Sequence, residues 1–165
     1  LGIKSTATIM FGHIDDIDSW VNHFSLIKNV QNKTHGFTEV VPLPFVHMGS
    51  PIYLRGKSMP GPTWDEIVLI HSLARIYFVN LIDNIQASWV KLGHDGAGRL
   101  LHAGVNDLGG TLINENISRA SGADHGQETT QDQFIQIIES ENKNPVLRNT
   151  LYTEFIETKN TLEKR

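Results

Sequence analysis

The chain has 165 residues, of which 39% are hydrophobic and 19% are charged, as in an ordinary folded domain. The formal net charge of −4 argues against a general binder of nucleic acid or of anionic membranes. The chain contains no cysteine, so its own residues cannot form a disulfide, a thiolate zinc site or the thiolate ligands of an iron–sulfur cluster.

The chain begins at Leu1 rather than Met, and its first residues lack the basic region and apolar stretch of a signal peptide. No apolar run approaches the roughly 18 residues that span a bilayer. We therefore expect a soluble, cytoplasmic piece of a protein that binds neither membrane nor nucleic acid.

Strands and helices are predicted to alternate from the start of the chain. Ser5–Phe11 is a β-branched and apolar run typical of a buried parallel strand. Asp15 and Asp16 supply N-cap side chains, and apolar residues at spacings of three and four predict an amphipathic helix that ends at Gly36. Phe37–Val41 is predicted to be the next strand.

A long connection runs from Pro42 to Pro62 and holds five of the six prolines. Proline at this density disfavours both regular helix and central strand. Loops beyond about 12–15 residues in compact domains are usually functional. We therefore expect a structured loop that covers a substrate, with a solvated linker as the alternative.

The next helix begins with a capping box, since Thr63 is followed three residues later by Glu66. His71 lies on its apolar face and is expected to be a core histidine with its hydrogen bonds satisfied. Asn84–Val90 alternates polar and apolar residues and predicts a third strand. A short helix is predicted near Asp95–His102.

The last elements are shorter. Val105–Gly110 predicts a brief fourth strand, and Glu115–Ala120 predicts another short helix. Thr130–Ser140 predicts a final helix, with Thr130 as its N-cap. The polar tail from Glu157 to Arg165 is expected to fray.

Strands that alternate with crossover helices must be parallel, with right-handed connections. The predicted fold is therefore α/β: residues 1–122 form four βα units of a TIM-type (β/α) barrel, half of the usual eight, and residues 123–165 form a C-terminal helical extension. An independent doubly wound domain is the alternative, but Gly12–Asp15 is not the glycine-rich turn that such a domain usually carries. The open edges of a half barrel also predict that the isolated chain aggregates.

The active sites of βα barrels lie at the carboxyl ends of the strands. Asn84, Gln86 and Ser88 alternate on one face of the third predicted strand. Buried amides and hydroxyls need partners, because an unpaired one costs about 1–3 kcal/mol. A ligand rich in amide edges would satisfy them. The alternative is packing against polar neighbours of the next strand.

The turn Asp107–Thr111 exposes backbone N–H groups at a predicted helix N-terminus, a place that favours anions. The alternative is a tight turn that needs glycine. Asn114 and Glu115 either cap the helix or reach the site. No nucleophile elbow or paired-carboxylate signature is present.

Three histidines, His13, His47 and His125, lack the HxH or HExxH spacing of a metal site. We expect them to make hydrogen bonds rather than bind a metal, and we name no metal ligand and no catalytic acid–base pair.

Several stretches together resemble one family. They are Thr6–His13, Gly36–Glu39, Val41–Met48, Pro51–Gly56, Asn84–Gly93, Ala103–Leu112 and His125–Glu128. On these motifs the chain is similar, from Leu1 to about Tyr152, to the C-terminal half of the radical S-adenosylmethionine (SAM) enzymes of deazaflavin biosynthesis, the FO synthase subunit family. Menaquinone-pathway enzymes that act on futalosine compounds share the Gln-Ala-Ser-Trp strand. The Val-Asn-Asp-Leu-Gly-Gly and His-Gly-Gln stretches favour the deazaflavin branch.

The resemblance implies a transferase of coenzyme F-420 biosynthesis. A reduced 4Fe-4S cluster cleaves SAM, and the 5′-deoxyadenosyl radical takes hydrogen from L-tyrosine. The 4-hydroxybenzyl unit then adds to 5-amino-6-(D-ribitylamino)uracil, and a partner FO synthase subunit or fused domain closes the ring. The family's CxxxCxxC motif is absent here, so the cluster ligands are expected upstream and the fragment alone is not expected to be active.

The resemblance also implies roles at the site, although it names no catalytic residue. The residues expected to contact the SAM cofactor are Gly12, His13, Asp15 and Pro44. The residues expected to bind substrate are Glu39, Asn84, Gln86, Ser88, Asp107, Gly109, Asn114 and Glu115. The alternatives are a futalosine-type radical SAM enzyme, a non-catalytic binding module, and a metal-dependent hydrolase of the barrel type.

Overall fold

A computed structural model describes residues 2–111 and 128–158 of the chain. Its first elements are strand β1 (Ser5–Phe11), helix α1 (Ile17–Thr34), strand β2 (Phe37–Pro44), helix α2 (Pro51–Leu54), helix α3 (Trp64–Tyr77) and strand β3 (Asn84–Ile85). They are followed by helix α4 (Trp89–Arg99), a 3-10 turn (Leu100–His102), helix α5 (Gln131–Ser140) and strands β4 (Val146–Arg148) and β5 (Phe155–Glu157). None of the described helices combines the length with the hydrophobicity that a membrane span requires.

Strands β1, β2 and β3 form a parallel sheet in that order, which agrees with the predicted α/β class. Strands β4 and β5 form a separate antiparallel pair that the sequence did not predict. We call residues 146–157 the hairpin. Because Glu157 belongs to β5, the prediction that the frayed tail begins there was wrong; residues 159–165 lie outside the described part.

The first strand and helix follow the sequence pattern closely. Strand β1 buries every second residue, as expected of a strand with one face on a core. Asp16 caps α1 by accepting a hydrogen bond from the Ser19 N–H at 2.8 Å. His35, rather than Gly36, provides the left-handed C-cap, with φ 47°.

Strand β2 continues to Pro44, so the prediction that the prolines end it at Val41 was wrong. The Val40 carbonyl accepts from the Gln86 N–H at 2.9 Å and therefore faces β3. Pro42 and Pro44, two and four residues on, face the same way, where β3 has already ended. Their missing N–H groups remove no sheet hydrogen bond, which is why this strand tolerates them.

The predicted third strand Asn84–Val90 is only partly strand. Only Asn84–Ile85 is strand, and Trp89 and Val90 begin α4 after Ser88 as N-cap. The predicted fourth strand reduces to one parallel bridge between Gln86 and Asp107. The Asn84–Val90 pattern misled because alternation over seven residues also fits a short strand followed by a helix turn.

The capping boxes of α3 and α5 are confirmed, at Thr63 with Glu66 and at Thr130 with Gln133. The predicted helix Glu115–Ala120 lies outside the described residues, and so does the predicted domain boundary at residue 122.

The core lies between the sheet and helices α1 and α3. It contains Phe11 from β1, Phe24 from α1, Ile70 from α3 and Ile85 from β3, all buried. The opposite face of β1 carries Thr6, Thr8 and Met10 and is exposed. Among the described residues, helices therefore cover one face of the sheet and leave the other open to a site.

The buried amide of Gln31 joins three elements. Its Nε2 donates to the carbonyls of Phe37 and Leu81, at 3.1 and 3.0 Å, and its Oε1 accepts from the Phe37 N–H at 2.9 Å. This side chain fixes the start of β2 against α1 and the segment that follows α3.

His71 is fully buried, but only half of its hydrogen-bonding capacity is used. Its Nδ1 donates to the Ile67 carbonyl at 2.7 Å. Its Nε2 has no partner among the described residues, so the prediction of a fully satisfied histidine was wrong. Burial lowers the pKa of His71 from 6.5 to about 4, despite the opposing hydrogen bond to Ile67.

Acid should therefore destabilise the fold between these two pKa values. Above pH 6.5 His71 is neutral in both the folded and the unfolded chain. Between pH 6.5 and about 4, His71 is protonated in the unfolded chain but remains neutral in the folded chain. We expect the free energy of unfolding to fall by up to about 1.4 kcal/mol per pH unit as the pH drops from 6.5 towards 4. Urea unfolding at low protein concentration should show this loss. His71→Phe should reduce it, and His23→Gln, at an exposed site, should leave it unchanged.

The outer edge of β1 has no strand partner among the described residues. An unpaired edge offers N–H and C=O groups to a second copy. We expect the isolated chain to self-associate with rising concentration in sedimentation velocity, and Thr8→Lys to reduce this. A monomeric sample with one sharp thermal transition would contradict the prediction.

Candidate functional site

A row of polar side chains crosses the open face of the sheet. The strand register pairs Thr6 with Glu39 and Glu39 with Asn84, and the bridge pairs Gln86 with Asp107. Residues paired on neighbouring strands project from the same face. The structure thus brings together four of the predicted substrate-binding residues.

A cleft of about 810 Å³ lies beside β3, between the loop that follows Val105, helix α5 and the hairpin. Asn84, Asp107 and Gly109 line it from the sheet side, and Arg148 and Tyr152 line it from the hairpin. This volume is within the usual range of small-molecule sites. We refer to it as the cleft.

Asp107 and Arg148 form an ion pair at the wall of the cleft. The Arg148 Nε and Nη2 donate to the two Asp107 oxygens at 2.7 and 3.0 Å, a bidentate arrangement. The Gly109 N–H donates to Asp107 Oδ1 at 2.5 Å and closes the turn. The hydrogen bond to Asp107 raises the pKa of Arg148, so the guanidinium stays charged.

Tyr152 reaches back to the sheet. Its hydroxyl donates to Glu39 Oε2 at 2.5 Å, and the Thr6 hydroxyl donates to Glu39 Oε1 at 2.8 Å. The Arg148 guanidinium lies over the Tyr152 ring, 4.3 Å from its centre. Burial and the hydrogen bond to Glu39 raise the pKa of Tyr152, so the phenol remains a donor.

Neither Arg148 nor Tyr152 was among the predicted site residues. Residues 147–152 lie at the end of the region that resembles the family, but their composition and spacing indicate no role. Only the fold brings it next to residues more than 40 positions away.

The other polar residues differ in their surroundings. Asn84 Nδ2 donates to the Thr38 carbonyl at 2.8 Å, whereas the Gln86 amide has no partner among the described residues and lies against Gly109. Ser88 is buried at the start of α4 and does not line the cleft. Asn114 and Glu115 lie outside the described residues.

The predicted cofactor residues form a second cluster. Asp15 accepts from the Gly12 and His13 N–H groups at 3.0 and 2.8 Å, from His13 Nδ1 at 2.6 Å, and from Trp20 Nε1. Burial alone would raise the pKa of Asp15, but these hydrogen bonds outweigh it and hold the pKa well below its usual value. They also occupy both carboxylate oxygens.

Gly12 and the proline-rich segment meet at this end of the sheet. Gly12 has φ +85°, and a Cβ there would lie 2.3 Å from Pro62 Cδ, so the proline occupies the space that glycine leaves. The Met59 N–H donates to the His13 carbonyl at 2.7 Å. In this cluster, His13 Nε2 is the ring nitrogen left without a partner within the described chain. Pro44 pairs with Phe11 at the same level.

The polar row and the His13 cluster lie at different positions along the strand direction of the sheet. Glu39 is level with Thr6, whereas the His13 cluster follows Phe11, five residues further along β1. At about 3.3 Å per residue, Phe11 lies roughly 16 Å along β1 from the level of Glu39, whereas Gln86, two residues beyond Asn84, lies closer to that end of the sheet. Among the described residues, Asn84, Asp107 and Gly109 line the cleft, whereas the predicted cofactor residues are not part of its lining.

Across residues 2–111 and 128–158, no three His, Asp or Glu side chains converge as a group that could hold a metal ion. His125 lies outside these ranges.

The chain matches a known protein family over most of its length. The family model for the CofH/MqnC C-terminal region matches residues 34–161. The chain belongs to this family. The resemblance seen in the sequence motifs is therefore confirmed.

Curated relatives carry more specific names. A Methanopyrus kandleri protein named 5-amino-6-(D-ribitylamino)uracil–L-tyrosine 4-hydroxyphenyl transferase is 51% identical over 152 residues, 92% of this chain and 41% of that protein. A Methanothermobacter thermautotrophicus protein of the same name is 46% identical over 94% of the chain and 42% of its own length. An FO synthase of Mycobacterium leprae is 45% identical over 92% of the chain and 18% of its own length. The chain thus spans about two fifths of the first two relatives.

Gly109 offers a test of the cleft wall. Its φ is +80°, and an added Cβ would lie 2.7 Å from Gln86 Nε2. We expect Gly109→Ala to reduce the free energy of unfolding by about 1–3 kcal/mol in urea titrations. Gly110→Ala is the matched control, since a Cβ added at Gly110 would have nothing within 4 Å. Equal effects of the two variants would contradict the close packing of Gly109 on Gln86.

Proposed function

We propose that this chain is part of a radical SAM transferase that joins the 4-hydroxybenzyl group of L-tyrosine to 5-amino-6-(D-ribitylamino)uracil. The observation that carries the proposal is the 51% identity, over 92% of the chain, to a relative named for a transferase with these two substrates. The chain spans only 41% of that relative, so the activity belongs to a protein of the relative's length.

The parallel sheet is proposed to be part of a (β/α) barrel. We infer that β1, β2 and β3 are consecutive strands of a TIM-type wall within residues 1–122, and that residues 123–165 extend it. The parallel order, the helices on one face and the β1 edge that no described strand covers support this arrangement. A further strand paired with β1 would cover the edge and enclose the polar row.

We propose that the polar row and the cleft bind the substrates. The ribitylated uracil offers N–H and hydroxyl donors together with carbonyl acceptors. The Gln86 amide, which has no partner within the described residues, can both donate and accept, and Glu39 accepts. Asn84, Asp107 and Gly109 line the cleft, and Ser88, Asn114 and Glu115 keep the substrate-binding role that the resemblance implies.

The chain does not fit the iron–sulfur cluster, because it has no cysteine. We propose that the cluster ligands lie in the remainder of the protein. SAM, when bound, would supply a 5′-deoxyadenosyl radical after taking one electron from the reduced cluster and releasing methionine, and this radical would take hydrogen from tyrosine. On this chain Gly12, His13, Asp15 and Pro44 are the proposed contacts. His13 Nε2 is the group proposed to meet the ligand, and Asp15, whose two oxygens are occupied, orients the imidazole.

A partner activity completes the deazaflavin ring in this proposal, either as a separate subunit or as a fused domain. The M. leprae FO synthase is more than twice as long as the M. kandleri relative, since the same 152 residues are 18% of one and 41% of the other. That length is consistent with a fused arrangement in the mycobacterial protein. A cytoplasmic location remains a prediction from the sequence.

The second candidate is a futalosine-type radical SAM enzyme of menaquinone biosynthesis. It is favoured by the breadth of the matching family model, whose description names MqnC as well as CofH. The names of the three relatives favour the first candidate.

The test uses a protein of the relatives' length that carries this chain, reconstituted anaerobically with iron and sulfide. With SAM, a reductant, L-tyrosine and the ribitylated aminouracil, we expect 5′-deoxyadenosine and a coupled product whose mass includes the 4-hydroxybenzyl unit. A variant without the cluster cysteines is the control and should form neither.

Two results would overturn the proposal. Turnover of a futalosine compound with none of the aminouracil product would favour the second candidate. Absence of turnover with either substrate, from protein that binds a full cluster, would exclude both.

A further inference from the structure

The hairpin approaches the sheet with two side chains that point at carboxylates. Arg148 is the last residue of β4, and Tyr152 lies in the turn between the strands. Their acceptors, Asp107 and Glu39, both belong to the polar row: Glu39 lies on β2, and Asp107 is bridged to Gln86 after β3. The hairpin therefore contributes one donor group to each of the two acids near the cleft.

The turn is built to hold Tyr152 in place. Asn149 Oδ1 accepts from the Thr153 N–H at 3.0 Å, and its Nδ2 donates to the Thr153 hydroxyl at 2.8 Å. The Tyr152 N–H donates to the Asn149 carbonyl at 3.2 Å. Tyr152 has φ 57°, in the left-handed region that a bulky residue seldom adopts. Such a conformation persists where its surroundings fix it, which here aims the phenol at Glu39.

The two acids are left with different capacities. A carboxylate accepts about four hydrogen bonds. Asp107 already accepts two from Arg148 and one from Gly109, whereas Glu39 accepts one from Thr6 and one from Tyr152. Within the described residues, Glu39 therefore keeps about two open acceptor positions and Asp107 about one.

We infer that Arg148 and Tyr152 are positioning residues for the ribitylated uracil: Arg148 anchors Asp107 and the Gly109 turn, and Tyr152 orients Glu39 to accept hydrogen bonds from that substrate. This inference rests on the proposed function. It assigns the hairpin to the substrate site and makes Glu39, rather than Asp107, the acid that meets N–H or hydroxyl donors of the ligand.

The kinetic test uses the reconstituted protein of the relatives' length. Tyr152→Phe removes the phenolic O–H and keeps the ring under Arg148. We expect the KM for the aminouracil to rise about tenfold while kcat changes less than about twofold, because the lost bond is one to a charged group. Tyr77→Phe is the matched control, since Tyr77 shares a 3.0 Å hydrogen bond with Ser25 on the helix side.

A double-mutant cycle separates positioning from folding. If Tyr152 acts through Glu39, then Glu39→Gln and the double variant Glu39→Gln with Tyr152→Phe should have KM values within about twofold of each other. A purely structural role would lower the amount of active protein at unchanged KM, and that result would overturn the inference.

Arg148 has a readout that needs no turnover. We expect Arg148→Met to speed hydrogen exchange at the Gly109 amide, because its acceptor Asp107 loses its anchor, and Arg148→Lys to restore part of the protection. Arg99→Met is the control, since Arg99 also stacks on a ring, that of Trp64, but lies on the surface. Unchanged exchange at Gly109 in Arg148→Met would overturn the anchoring role, whereas absent turnover in the unmodified protein would overturn the proposed function.

Discussion

The unequal pairing of β2 with its two neighbours organises this chain. Seven residue pairs join β2 to β1, but only two join it to β3. The pairing of β2 with β1 places Glu39 opposite Thr6 and Pro44 opposite Phe11. The pairing of β2 with β3 ends at Ile85, so that α4 begins early and space remains for the cleft.

The acids at and beside the cleft receive hydrogen bonds from residues outside the sheet. Two acids, Glu39 and Asp107, lie on or beside the same face, and one guanidinium neutralises the second of them. Paired and hydrogen-bonded charges can be partly buried, whereas isolated ones cannot. The Arg148 cation contacts both an anion and the Tyr152 ring, so that the hairpin and the acids stabilise one another. Glu39, which the guanidinium does not pair with, accepts only from the neutral hydroxyls of Tyr152 and Thr6.

The sequence predicted the elements whose information is local. β1 follows from alternation and composition, and α3 and α5 follow from capping boxes that need only four residues each. The end of β2 could not be predicted, because the tolerance for Pro42 depends on how far a different strand extends. The hairpin could not be predicted either, since strands of three residues have weak local preference and are held by contacts to the sheet.

The site divides in the same way. The polar row was visible as residue types, and the structure places Glu39 beside Asn84. Glu39 is hydrogen-bonded to Tyr152, which is 113 positions away in the sequence. This contact depends on the tertiary structure and has no local sequence signal. The roughly 16 Å between the level of Glu39 and Phe11, after which the His13 cluster begins, is likewise a matter of register. Motif resemblance named both groups of residues but carried no information on their distance.

The late position of the hairpin has a consequence for biosynthesis. Residues 5–85, which form the parallel sheet, leave the ribosome well before Arg148 and Tyr152 do. Contacts of such long sequence separation form slowly and late. During this interval Glu39 and Asp107 lack their hairpin donors, and the cleft lacks the wall that the hairpin forms. A pause or a premature stop between Ser140 and Arg148 would thus leave a nascent sheet whose pocket is unfinished, a natural substrate for chaperones or proteases.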